Sequence, residues 1–158
     1  MLYALLKTLH LLSIVVWIGG MVFAHFHLRP AVAVLEPAMR VRLMHDVLGR
    51  FFAAVLGASA LALVTGIWMI GNVAKQVSQA GVSFKMPIEW TIMATLGIVM
   101  MLIFGHIRFA LYKRLGRAVQ AADWPAGGAV LAKIRLAVVV NLCLGVLIVV
   151  VTRLGIPS

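Results

Sequence analysis

The stretch Thr8–Leu28 reads TLHLLSIVVWIGGMVFAHFHL, with no Asp, Glu, Lys or Arg, yet with three histidines, His10, His25 and His27. A helix rises about 1.5 Å per residue, so roughly 20 such residues cross the hydrocarbon core of a bilayer. Three more runs share the property: Phe51–Ala74, Trp90–Ile107, which holds His106, and Leu136–Thr152. The 158-residue chain is 64% hydrophobic, where soluble domains run nearer about 45–50%. Its mean hydropathy is +1.11. A transmembrane β-barrel would show alternating segments of about 10 residues. These runs are instead continuous and rich in Leu, Val and Ile. Because backbone can cross lipid only as helix or closed barrel, the expected fold is all-α. It is an integral membrane bundle of four transmembrane helices forming one domain, 1–158, with spans at about 3–28, 50–74, 88–112 and 130–154. The first run is longer than a signal-peptide core and shows no A-x-A-like cleavage site, so it reads as a retained helix.

The net charge of +10 is distributed unevenly, which excludes a nucleic-acid reading and suggests an orientation. Arg29, Arg40, Arg42 and Arg50 lie between the first two spans; Arg108, Lys113, Arg114, Arg117, Lys133 and Arg135 lie between the last two. Against these ten stand four, Lys7, Lys75, Lys85 and Arg153. The positive-inside rule then places both basic linkers in the cytoplasm and both termini outside. Basic flanks also meet anionic lipid. The lone cysteine, Cys143, can form no intrachain disulfide, and no CxxC motif is present.

Punctuation along the chain predicts the helix ends. Arg29-Pro30 closes the first helix, because the residue before proline disfavours the α region. Glu36–Arg50 alternates charged and apolar residues, a short amphipathic segment before helix two or an extension of it. Helix two ends near Gly71-Asn72, with a polar outer loop over Lys75–Pro87. Helix three starts near Pro87 and continues to about Val119. Asp123–Gly128 is a turn. Helix four starts near Ala129 and ends at Gly155–Pro157.

An ionisable group inside a span marks a functional site by default, and imidazole is a common ligand for metals and haem iron. Steps of about 100° per residue put His10, Ser13, Trp17, Met21 and Ala24 on one face of helix one. On helix three, Thr95, Val99, Leu102 and His106 share a face, with Met93, Met100 and Met101 pointing elsewhere. Depth divides the histidines: His10 lies about 10 Å below the outer boundary and His106 about 27 Å down. This predicts an outer layer with His10, Thr95 and Met69 or Met93, and an inner layer with His25, His106, His27 and His45. Arg135 stands on the side of His106, where a guanidinium fork binds a propionate; as a bland alternative it snorkels. Asn141 lies inside helix four. Cu(I) favours thioether and imidazole, but no M-x-x-M pair shares a face with His10. Glycines such as Gly19-Gly20, Gly57, Thr65-Gly66, Gly97 and Gly145 allow close helix packing.

Lys7-Thr8-Leu9-His10 followed by Trp17-Ile18-Gly19-Gly20, with Arg29 at the helix end, resembles the first helix of the copper-resistance D (CopD) superfamily and of the related HemJ-type protoporphyrinogen oxidases. Thr65-Gly66-Ile67-Trp68 is similar to the end of their second helix, Gly105-His106 to the end of the oxidases' third, and Arg135 with Asn141 to their R…N-E-x-P stretch. The resemblance implies b-type haem on His10 and, from the other branch, copper handling. The chain lacks the oxidases' lysine early in helix three, where it has Glu89-Trp90-Thr91, and has Leu142 in place of their glutamate. The leading expectation is an inner-membrane haem b protein serving electron transfer or a membrane redox reaction, the latter as a membrane oxidoreductase. His10 and His106 are its leading ligand candidates, at depths that one iron does not bridge between straight helices, and His25, Arg135, Trp17 and Asn141 are the further cofactor-site candidates. A quinone or a redox protein would be its partner, in a monomer or homo-oligomer. The alternative is a copper-binding or copper-transport protein, and the third expectation is a cofactor-free accessory bundle.

Overall fold

The first helical segment, α1 (Leu2–Phe23), buries Ser13, Trp17 and Met21 and leaves Leu11, Leu12, Val15 and Val16 exposed. One stripe thus faces protein and the rest of an equally apolar surface faces outward, the signature of a helix solvated by lipid. The computed structural model describes residues 1–154. Its further elements are α2 (Arg29–Val32), α3 (Pro37–Gln79), α4 (Ile88–His106), α5 (Tyr112–Gln120) and α6 (Trp124–Leu154). Two π-helical turns join them, Ala24–Leu28 between α1 and α2 and Ile107–Leu111 between α4 and α5. The result is four continuous rods, Leu2–Val32, Pro37–Gln79, Ile88–Gln120 and Trp124–Leu154, each long and apolar enough to cross a membrane.

Several ends differ from expectation. Arg29-Pro30 does not stop the first rod. Pro30 has no N–H to donate and its ring presses on the carbonyl four residues back. The π turn just before it, closed by Arg29 N–H on the Ala24 carbonyl, widens the helix where that clash would fall. The rod then runs to Val32. The amphipathic stretch Glu36–Arg50 is no separate surface helix: Pro37 opens α3, which is continuous into the second span. That helix also runs past Gly71-Asn72 to Gln79, for 43 residues in all. At about 1.5 Å each it far exceeds a core of about 30 Å and must protrude. Pro125–Gly128 is helix rather than turn. Asp123 accepts a hydrogen bond from Ala126 N–H at 3.0 Å, an N-cap that starts α6 at Trp124. The expected end at Gly155–Pro157 lies outside the described residues.

The two antiparallel pairs, α1 on α3 and α4 on α6, close into a bundle through α1–α6 and α3–α6 contacts. The seam of α3 is Val41, Leu48, Phe52, Val55, Ser59, Ala62 and Thr65, a spacing of threes and fours. Phe52 and Trp17 both meet Phe104 edge-on, with centroids at 6.0 and 5.9 Å. Gly20 lies against the Phe51 ring, and a Cβ at Gly145 would stand 3.1 Å from Ile18 and 3.2 Å from Met100. At those two positions glycine is what lets the helices meet, as the small residues of membrane bundles do.

Candidate functional site

His10 projects from α1 towards α3, where its Nδ1 lies 3.0 Å from Thr65 Oγ1. The threonine hydroxyl has one proton, and it donates this to the Leu61 carbonyl at 2.7 Å. With its proton on the Leu61 or Ala62 carbonyl, the threonine accepts from the His10 tautomer that carries its proton on Nδ1. In that tautomer Nε2 carries the free lone pair. Gly66 follows directly; a Cβ there would stand 3.4 Å from His10 Cε1. The Thr65-Gly66 pair supplies both the acceptor and the room for the ring.

Around His10 opens a cavity of about 280 Å³ lined by Trp17, Gly66, Met93, Met100 and Met101 among other, mostly apolar, residues. The outer layer is thus rearranged from its expected form. Met93 lies near His10 as expected, but Met69 does not line the cavity, and Met100 and Met101 do. Thr95 is exposed, together with Val99, Leu102 and His106. The face of helix three that carries this histidine is its outward face. Where both faces of a helix are apolar, hydrophobic pattern does not distinguish lipid from protein, and the position of a histidine was a poor guide. Thr65 takes the role expected of Thr95 because α1 packs on α3, whereas α4 packs on α6.

The inner layer does not assemble as one site. His106 is exposed and lines neither cavity. His27 is exposed and stacks on Phe23 at 5.9 Å. His45 stacks almost parallel on Tyr112 at 4.9 Å, and the Tyr112 hydroxyl donates to the His45 carbonyl at 3.1 Å. Its Nδ1 pairs with Asp46 at 3.2 Å. His25 and Arg135, in contrast, line a common cavity at the basic end of the bundle, of about 440 Å³. Asn141 is 1% exposed, and its Oδ1 has no hydrogen-bond partner among the described residues. It lies on α6 between Val138, which lines the basic cavity, and Gly145, which lines the one beside His10.

Among the described residues no group of three or more His, Cys, Asp or Glu side chains converges as a metal cage. Thioethers are outside that set, and the side chains lining the cavity with N, O or S atoms include the His10 imidazole, the Thr152 hydroxyl and three methionines. The imidazole and the thioethers fit a soft monovalent ion such as Cu(I).

Comparison with known proteins adds one finding. The sequence model described as Copper resistance protein D matches residues 45–154. No curated protein and no solved structure matches. The match falls on the copper branch of the resemblance and carries no link to haem or to the oxidases. It covers Thr65, the three cavity methionines, Arg135 and Asn141; His10, Trp17 and His25 precede it. With more than half of its length in that match and four membrane-spanning helices around it, the chain belongs to the copper resistance protein D family.

Proposed function

We propose that this protein handles copper in the membrane, taking Cu(I) as its substrate in the cavity beside His10. The observation that carries the reading is the meeting of an imidazole, hydrogen-bonded through Nδ1, with methionines in one apolar cavity. Nε2 of His10 is the nitrogen donor, and sulfur comes from Met93, Met100 and Met101. A cavity without carboxylates disfavours hard divalent ions and suits a soft ion of low charge. Family membership supports the same substrate. The cavity lies towards the end of the bundle that carries both termini, which the charge bias places outside the cytoplasm of a plasma-membrane protein.

The test is Cu(I) titration of the detergent-purified protein against a chromophoric competitor, with X-ray absorption of the loaded sample. The expected result is stoichiometric copper with sulfur and nitrogen scatterers. His10→Ala should weaken binding about tenfold or more, and Met93→Leu/Met100→Leu/Met101→Leu should remove sulfur scattering. Unchanged copper affinity in His10→Ala would overturn the proposal. So would a Soret band in protein from haem-replete cells that is lost with His10, since the imidazole would then serve iron.

A further inference from the structure

The second cavity lies at the opposite, basic end, about 22 Å along α1 from the first if His10 and His25 mark their levels. The chain brings three arginines to it from distant positions: Arg29 on α2, Arg40 in the first turn of α3 and Arg135 on α6. No Asp or Glu lines the cavity. Among the described residues the one ion pair is His45 with Asp46, so none of the three guanidiniums is neutralised. Gathering like charges without a counter-charge is unfavourable, and an anion is what relieves it. The cavity is also too large for a lone small anion, at about 440 Å³, and most of its remaining wall is apolar, including Leu48, Ile134 and Val138. Gly128 keeps one side open: a Cβ there would meet nothing within 4 Å.

The geometry points to a binding site for a phosphate-bearing amphiphile, with the phosphate held by Arg29, Arg40 and Arg135 and the apolar body along the walls of α3 and α6. Guanidinium presents a planar fork that matches phosphate oxygens two at a time. A lipid phosphodiester offers two non-bridging oxygens with ester and headgroup oxygens beside them, enough positions for more than one fork. Basic pockets between transmembrane helices are known receptors for anionic lipid headgroups. A lipid headgroup meets the same chemistry as free phosphate, so the experiment must separate the two. The π turn Ala24–Leu28 is part of the construction, because it carries His25 to the cavity and turns the chain into the short helix bearing Arg29. π-helical turns often mark such sites.

Native mass spectrometry of the full chain, offered equal phosphatidylglycerol and phosphatidylcholine, tests this. Melting in detergent with and without inorganic phosphate is the second arm. The expected result is at least about a tenfold preference for phosphatidylglycerol. Arg40→Gln/Arg135→Gln should abolish it, while Lys113→Gln/Arg117→Gln removes the same charge outside the cavity and should leave it intact. Gly128→Leu keeps every charge and fills the cavity; it should also lose the lipid, with the melting temperature retained. A rise in melting temperature with inorganic phosphate, lost in the arginine pair and matched by no lipid preference, would assign the same site to a free phosphate. Equal retention of the two lipids with no response to phosphate would overturn the proposal. So would equal losses in the arginine pair and the Lys113/Arg117 pair.

Discussion

His10 Nδ1 and Thr65 Oγ1, 3.0 Å apart, carry the most chemistry of any pair in the molecule. The bond works through direction. With the hydroxyl proton on the Leu61 or Ala62 carbonyl, the bond favours the tautomer that holds its proton on Nδ1 and offers Nε2. Orienting partners of this kind are typically worth about 10–100-fold in metal affinity. Thr65→Val keeps the shape of this 1% exposed side chain and removes the acceptor. It should lower Cu(I) affinity by about tenfold or more, while Thr65→Ser retains it. Competitive titration reads the affinity, and thermal melting checks that the fold is intact. Equal affinity in the valine and serine variants would deny Thr65 this positioning role. The motif Thr65-Gly66-Ile67-Trp68 is visible in the sequence, but its partner is not. Only helix pairing shows that Thr65, and not Thr95, lies opposite His10.

Two helices end in the same way with different residues. At the end of α3, Val82 N–H bonds the Val77 carbonyl at 3.2 Å and Gly81 N–H bonds Ser78 at 3.0 Å. At the end of α5, Asp123 N–H bonds Ala118 at 2.9 Å and Ala122 N–H bonds Val119 at 3.2 Å. Both are six-to-one closures with a left-handed residue in the turn, Gly81 at φ +74° and Ala122 at φ +52°. Glycine adopts that conformation freely, whereas an L side chain pays about 1–2 kcal/mol. Ala122→Gly should therefore raise stability by about 1 kcal/mol, and Gly81→Ala should lower it by a similar amount. Reversible denaturation in mixed micelles would read both, and a loss on Ala122→Gly would contradict the cap. Glycine at 81 is a legible stop signal. Alanine at 122 is not, which is one reason the Asp123–Gly128 region read as a broad turn. The other is that Asp123 caps α6 at once, so Pro125 and the two glycines fall inside a helix.

At the scale of the whole molecule, charge and cavities share one axis. The linker cations and the arginine-lined cavity occupy one end, and His10 with its methionines lies towards the other. The positive-inside rule turns this axis into an orientation. A periplasmic-type reporter such as alkaline phosphatase, fused at the N-terminus behind a suitable spacer, should be active. Green fluorescent protein fused in the turn at Ala121–Asp123 should fluoresce. The reverse pattern would place the His10 cavity towards the cytoplasm.

The sequence by itself determined that this is a four-helix membrane protein. The reason is thermodynamic: charge-free apolar runs of that length have no other way to satisfy their backbone in lipid. It also singled out His10 and Trp17 on one face and Arg135 at the basic end. The tertiary structure alone decided which faces look inward. In water, hydrophobic pattern separates buried from exposed, but in lipid both faces of a helix are apolar and that signal vanishes. Helix pairing then chose Thr65 over Thr95, moved Met100 and Met101 to the cavity of His10, and left His106 on the outside. It also gathered Arg29, Arg40 and Arg135, far apart in the chain, into one cavity.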